Sequence, residues 1–241
     1  MSIGSGGARG IVALGALAPL QRAGYFSGVA EYRGSSVGAV LAAGLALGVP
    51  PHRMLRACTK NALQTDGGPG AAAGFGIDGG RGLARWITRV LRLRRPLCLR
   101  EVPALTVCVT NLDARRAEYW SARTHPDADL VSVLRTSCSV PLVFASVVHG
   151  GVRYVDGGVA DPLPAADFRI AFARPPAAPD TVGAFVAALS ECPAPPPAAR
   201  DVLVLDPGDI TPLDFGLDAA ALAAAYASGA AQARAFVKKN A

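Results

Sequence analysis

Two glycine-rich turns in the first forty residues constrain this chain more than any other feature. They are Gly4-Ser5-Gly6-Gly7-Ala8-Arg9-Gly10 and Gly34-Ser35-Ser36-Val37-Gly38. The first follows Ile3, the remnant of a strand, and opens an apolar helix over 8–18, which Pro19 is expected to end or kink because it lacks an amide hydrogen. The second follows a short strand over 29–33 and feeds a helix over 39–47 that stops at Gly48 and Pro50. Strand–turn–helix units repeated in this way point to an α/β fold with a largely parallel sheet.

The rest of the chain continues the alternation. Residues 64–80 are glycine-dense and read as a flexible loop. A helix is expected over 82–95, where Leu83, Trp86, Ile87, Val90 and Leu91 recur at helical spacing, with Arg81, Arg85, Arg89 and Arg92 on the opposite face. Buried-strand patterns cover 105–110, 152–155 and 202–205, with 117–121 as a partner for the first. Helices are expected over 130–137 and 217–237, and the Pro-rich stretch 174–197 reads as a surface excursion. With 51% hydrophobic and 17% charged residues the chain is not of the disordered class, and 241 residues can bury a core without disulfide staples. One domain over 1–241 is the expectation.

Charge and cysteine usage exclude more than they suggest. The net charge of +6 comes from 21 Arg and only 3 Lys, and no nucleic-acid recognition module accompanies it, so no nucleic-acid role is expected. Five cysteines without a C-x-x-C pair support neither a zinc knuckle nor a redox motif, and reduced, mostly buried thiols are the simpler reading. Nothing has the form of a calcium loop, so neither metal nor organic cofactor is expected. Met1-Ser2-Ile3-Gly4 lacks a basic leader, and the apolar stretch 37–49 is too short to cross a bilayer. A soluble, cytoplasmic chain without signal peptide or transmembrane helix is expected.

Chemistry converges on few residues. In Gly34-x-Ser36-x-Gly38 the small neighbours let a serine protrude from a tight strand-to-helix turn, and the following helix places positive partial charge beside it. The loop Gly6-Gly7-Ala8-Arg9-Gly10 can aim successive backbone amides at an anion. It could equally open a dinucleotide site, with Glu31 on a ribose, but that reading leaves Ser36 idle and no G-x-x-x-x-G-K-[ST] motif is present. A serine nucleophile needs a base. His52, His125 and His149 all precede Asp156, so the order Ser–acid–His is not available with Asp156 as the acid, and all three read as loop or hairpin residues. Asp156, at the end of a strand and before Gly157-Gly158, is the remaining candidate, although Asp-Gly-Gly alone also describes a plain turn. Desolvation would raise its basicity above that of aspartate in water.

Taken in order, the glycine loop, Gly34-x-Ser36-x-Gly38 and Asp156-Gly157-Gly158 resemble the patatin-like phospholipase family. Residues 134–144, with Ser137-Cys138-Ser139 and Pro141 to Phe144, are similar to its serine-rich helix and following Pro-x-x-Phe. Pro162-Leu163-Pro164 resembles the end of its aspartate loop, and 214–229 its closing helix. The resemblance implies a three-layer α/β/α patatin-like fold and a lipid acyl hydrolase of phospholipase A type. It implies a Ser36–Asp156 dyad forming an acyl-enzyme, an oxyanion hole at Gly6, Gly7, Ala8 and Arg9, and supporting roles for Gly10, Gly34, Gly38, Gly157 and Gly158. Each hole amide would contribute about 3–4 kcal/mol. Departures are Ser5 where many members have glycine, Asp161 where an Asn is common, and Pro19 within the first helix. A catalytically silent lipid-binding or scaffolding protein on the same fold is the alternative. The Arg-faced helix 82–95 is read either as an ordinary surface helix or as a face meeting anionic lipid headgroups.

Overall fold

The computed structural model describes residues 1–58, 76–173 and 201–240. The expected excursion 174–197, and the loop 64–80 as far as residue 75, lie outside the described residues. In chain order the elements are β1 (Ser2–Ile3), α1 (Gly10–Arg22), β2 (Tyr32–Ser35), α2 (Val37–Ala46), α3 (Pro51–Ala57), β3 (Gly76–Asp78), α4 (Arg81–Val90), β4 (Leu105–Asn111) and β5 (Arg116–Ser121). There follow α5 (Leu130–Ser137), β6 (Leu142–Phe144), β7 (Val147–His149), β8 (Val152–Asp156), β9 (Arg169–Phe172), β10 (Val202–Leu205) and α6 (Ala219–Asn240). Single 3-10 turns at Gly7–Arg9 and Gly157–Val159 flank the site described below.

The main sheet runs β10-β9-β1-β2-β4-β8-β7, with β5 added to β4. From β10 to β4 every pairing is parallel; β5, β8 and β7 join antiparallel. The sheet is therefore mixed but mostly parallel, flanked by helices in the three-layer arrangement. All seven residues of β4 are buried, as a strand covered on both faces requires. The short pair β3-β6 forms a separate ribbon, so residues 76–78 are strand where the sequence suggests loop.

Other expectations shift for identifiable reasons. α1 continues through Pro19 to Arg22. Proline presses on the carbonyl four residues back; that residue is Gly15, and the helix is buried along most of its length. α6 lies so close that a Cβ at Gly15 would collide with the Tyr226 carbonyl, and one at Gly229 with the Val12 carbonyl. Tertiary packing of small residues thus overrides the local breaker. α4 stops at Val90 rather than 95, because Arg92 takes a left-handed φ of 56°. His52 lies on the first turn of α3, exposed, rather than in a loop.

Candidate active site

The register of β4 brings the two ends of the site together. β5 covers one edge of β4 from Thr106 to Asn111, so β2 and β8 must share the other. Parallel β2 ends with Ser35 opposite Cys108, and antiparallel β8 ends with Asp156 opposite Val109. The carboxyl ends of two strands 120 residues apart in sequence therefore point at each other across one β4 step. Ser36 Oγ donates to Asp156 Oδ2 at 2.7 Å, with both residues buried.

Ser36 adopts φ 56° and ψ −132°, a conformation in which a side chain is strained by about 1–3 kcal/mol. The turn is sharp because the backbones are in contact. A Cβ at Gly34 would collide with the backbone of Gly38, and one at Gly38 with the carbonyls of Ile3 and Gly4. Only glycine fits at these two positions, which fixes the spacing Gly34-x-Ser36-x-Gly38. Ser36 caps α2, whose first-turn amides and dipole face developing negative charge. Its own amide donates to Ser137 Oγ at 2.9 Å, and Ser137 Oγ donates to the Cys108 carbonyl at 2.6 Å.

Asp156 is both a turn residue and a buried acid. Its Oδ1 accepts from the Gly158 amide at 2.7 Å, capping the 3-10 turn, which leaves Oδ2 for Ser36. Its carbonyl accepts from Thr110 Oγ1 at 2.7 Å and its amide donates to the Ser139 carbonyl at 2.9 Å. Burial pushes the carboxyl up to about 7, with the hydrogen bonds from Ser36 and Gly158 pulling the other way. Desolvation thus outweighs the two hydrogen bonds and brings this carboxyl close to neutrality, the range suited to a general base. Asp161, the charge that replaces the family's usual Asn, accepts from Tyr119 Oη at 2.5 Å and from the Leu163 amide at 3.1 Å.

In the glycine loop two backbone amides already have acceptors. The Ala8 amide donates to the Pro212 carbonyl at 2.8 Å and the Arg9 amide to the Gly6 carbonyl at 3.0 Å. Arg9 is buried, with Nε on the Gly6 carbonyl at 3.3 Å and its guanidinium carbon 5.5 Å from the centre of the Phe172 ring. The amides of Gly6 and Gly7 have no acceptor among the described residues. Gly7 has φ 54°, and a Cβ there would collide with the Pro212 carbonyl. In this state residues 211–217 close over the loop, and two of the four expected donors are already engaged.

Ser36 lines a cavity of about 90 Å³. α1 (Ile11, Leu14), α2 (Val37, Leu41) and α4 (Leu83, Trp86) wall it, and Phe144 and Phe215 stand among its lining with rings 6.3 Å apart. The apolar stripe of α4 thus faces the cavity and core, while Arg81, Arg85 and Arg89 lie on its exposed side. Cys58 and Cys138 also line the cavity; burial pushes the first thiol up to about 12 and the second well above its usual range, so both are protonated. His125 and His149 gather around Trp120, at 4.4 and 5.0 Å between ring centres, away from the Ser36 cavity. Among the described residues no three His, Cys, Asp or Glu side chains cluster as a metal site would need.

Sequence reasoning passed over Ser137, Thr110 and the segment 211–217. Three hydroxyl-bearing residues at the end of a buried helix (Thr136, Ser137 and Ser139) were a usable signal for the first, since buried hydroxyls must find partners. Nothing local marks Pro212 as a neighbour of Ala8.

A serine on a strained strand-to-helix turn, a buried aspartate at an opposing strand end and an adjacent glycine loop thus meet at one end of a mostly parallel α/β sheet. The family description "Patatin-like phospholipase" matches residues 1–169, and the chain belongs to that family. No curated protein matches it as a relative. Among solved structures it is similar to VipD from Legionella pneumophila, with TM-score 0.64 and 16% identity over 99% of this chain and 66% of that one. It is also similar to the type III effector protein ExoU, with TM-score 0.52, 16% identity, and 99% and 53% of the two chains covered. ExoU in complex with SpcU from Pseudomonas aeruginosa gives TM-score 0.54 at 14% identity, covering 99% and 52%. The chain thus spans just under two thirds of VipD and about half of ExoU, and at these identities the likeness is one of fold.

Proposed function

We propose that this chain is a serine lipid acyl hydrolase that cleaves fatty-acyl ester bonds of phospholipids. The observation that carries the reading is the 2.7 Å hydrogen bond from Ser36 Oγ, which lines an apolar cavity, to a buried Asp156 whose carboxyl is pushed up to about 7. Ser36 Oγ attacks the ester carbonyl as its proton passes to Asp156 Oδ2. The tetrahedral oxyanion is received by the glycine loop, with Gly6 and Gly7 as donors and Ala8 joining once the Pro212 carbonyl withdraws. Collapse expels the lysolipid alkoxide, which takes the proton back from Asp156. Water then attacks the acyl-enzyme with Asp156 as base, releasing fatty acid and restoring Ser36. No step calls for a metal or organic cofactor.

The acyl chain occupies the cavity between α1, α2 and α4, and the exposed arginines of α4 meet anionic headgroups at a membrane surface. Among the described residues no helix is long and apolar enough to cross a membrane. The Ala8–Pro212 hydrogen bond is the one observation that favours the silent, lipid-binding alternative, because it occupies a hole donor. Fatty-acid release from mixed phosphatidylcholine/phosphatidylglycerol vesicles decides between them. Release by the wild type, lost in Ser36→Ala and Asp156→Asn, is expected; binding to vesicles without release by any of the three would leave only the silent protein.

A further inference from the structure

We infer that Ser137 is a positioning residue for the nucleophile, a role that rests on the acyl-hydrolase reading above. Ser36 is buried with φ 56°, and its amide precedes α2, so no helical carbonyl is there to accept from it. Left alone, that buried N–H would be unsatisfied, and the turn would relax to find a partner. Ser137 Oγ supplies the acceptor at 2.9 Å and donates its own hydrogen bond to the Cys108 carbonyl at 2.6 Å. Cys108 is the β4 residue opposite Ser35. One hydroxyl therefore ties the end of α5 to both the elbow and the central strand.

The same turn holds the base. Two residues on, the Ser139 carbonyl accepts from the Asp156 amide at 2.9 Å. The turn 137–139 thus fixes the backbones of both reacting residues, and the 2.7 Å Oγ–Oδ2 separation depends on its rigidity. In a dyad that lacks the third group that orients the base of a triad, the end of α5 does the orienting. Ser137 is distinguishable from its neighbours. Thr136 Oγ1 donates to the Ser132 carbonyl within the helix, and Ser139 Oγ, just past its end, donates back to the Arg135 carbonyl; neither hydroxyl bonds to Ser36 or Asp156.

The test compares Ser137→Ala with Thr136→Val, each removing one buried hydroxyl. Active sites are counted by titration with a fluorescent fluorophosphonate, and turnover of a soluble thioester substrate is expressed per titrated site. The expected result for Ser137→Ala is a loss of about 10- to 100-fold in kcat per site with KM within about twofold of wild type. The acid limb of its pH profile stays in place, because the partners of the Asp156 carboxyl are intact. Thr136→Val keeps wild-type turnover per site, whatever happens to its stability, because the Thr136 hydroxyl bonds only within its own helix. If Ser137→Ala yields no folded protein, Ser137→Cys, which weakens both hydrogen bonds while keeping the shape, is read by the same per-site measure. Unchanged turnover per site, with only fewer sites titrated, overturns the positioning role, as does an equal loss in Thr136→Val. A wild type with no titratable serine would instead refute the acyl-hydrolase reading and this role with it.

Discussion

Replacing Asp156 with Asn changes one proton-binding group and almost no shape. The side-chain carbonyl of Asn can keep the hydrogen bond from the Gly158 amide, and its NH₂ can donate to Ser36 Oγ. Burial holds the native carboxyl at about 7, whereas an unfolded aspartate titrates at about 3.9. The native state therefore binds this proton more tightly than the unfolded state. Stability falls as pH rises between about 4 and 7, because in that window the unfolded chain gives up the proton and the folded one keeps it. At about 1.4 kcal/mol per unit, a gap of about 3 units corresponds to about 4 kcal/mol above pH 7, an upper bound for a fully rigid site. Asp156→Asn removes that slope. Urea denaturation of the two proteins should agree near pH 4, differ by about 1–2 kcal/mol in favour of Asp156→Asn at pH 5, and differ most at pH 8. The same variant should lose nearly all acyl-hydrolase turnover, so stability and activity move in opposite directions. A variant less stable than wild type at pH 8, or a difference that does not change with pH, would refute the reasoning that burial sets this carboxyl.

Three further outcomes follow from the same geometry. The pH dependence of kcat/KM should rise about tenfold per unit on the acid side and level off above about 7, as the base loses its proton; a midpoint near 4 would mean that Asp156 is solvated in the working enzyme. Ser36→Gly should be more stable than Ser36→Ala by about 1–2 kcal/mol in thermal or urea unfolding, because only glycine relieves the φ of 56°; equal stabilities would show that the elbow is not strained. Leu83→Phe, which narrows the cavity wall on α4, should lower kcat/KM for long-chain esters while short-chain ester turnover stays near wild type; a uniform loss across chain lengths would place the acyl chain elsewhere.

The parts of this fold that were legible in the sequence are those written in short-range pattern. β4, α5 and β8 announce themselves by composition and spacing, and the Gly34-x-Ser36-x-Gly38 turn by the fact that only glycine fits where two backbones touch. The parts that were not legible depend on contacts distant in sequence. α1 reads as broken at Pro19, yet α6 packed against Gly15 carries it onward. The Ala8 amide reads as a free donor, yet a carbonyl 204 positions away occupies it. Asp156 reads as the candidate base, with raised basicity if desolvated, but Asp-Gly-Gly alone does not say how deeply it is buried. Its upward pKa shift arises from burial at the meeting point of β2 and β8, which exists only once both pair with one edge of β4.

The central claim is that Ser36, activated by Asp156, is the nucleophile. Reaction of the folded protein with a fluorophosphonate at pH 8, followed by intact-mass and peptide mapping, tests it most directly. The account predicts one adduct per chain, located on Ser36, absent in Ser36→Ala and formed far more slowly in Asp156→Asn. A folded wild type that takes up no adduct, or takes it up at another residue, would contradict it.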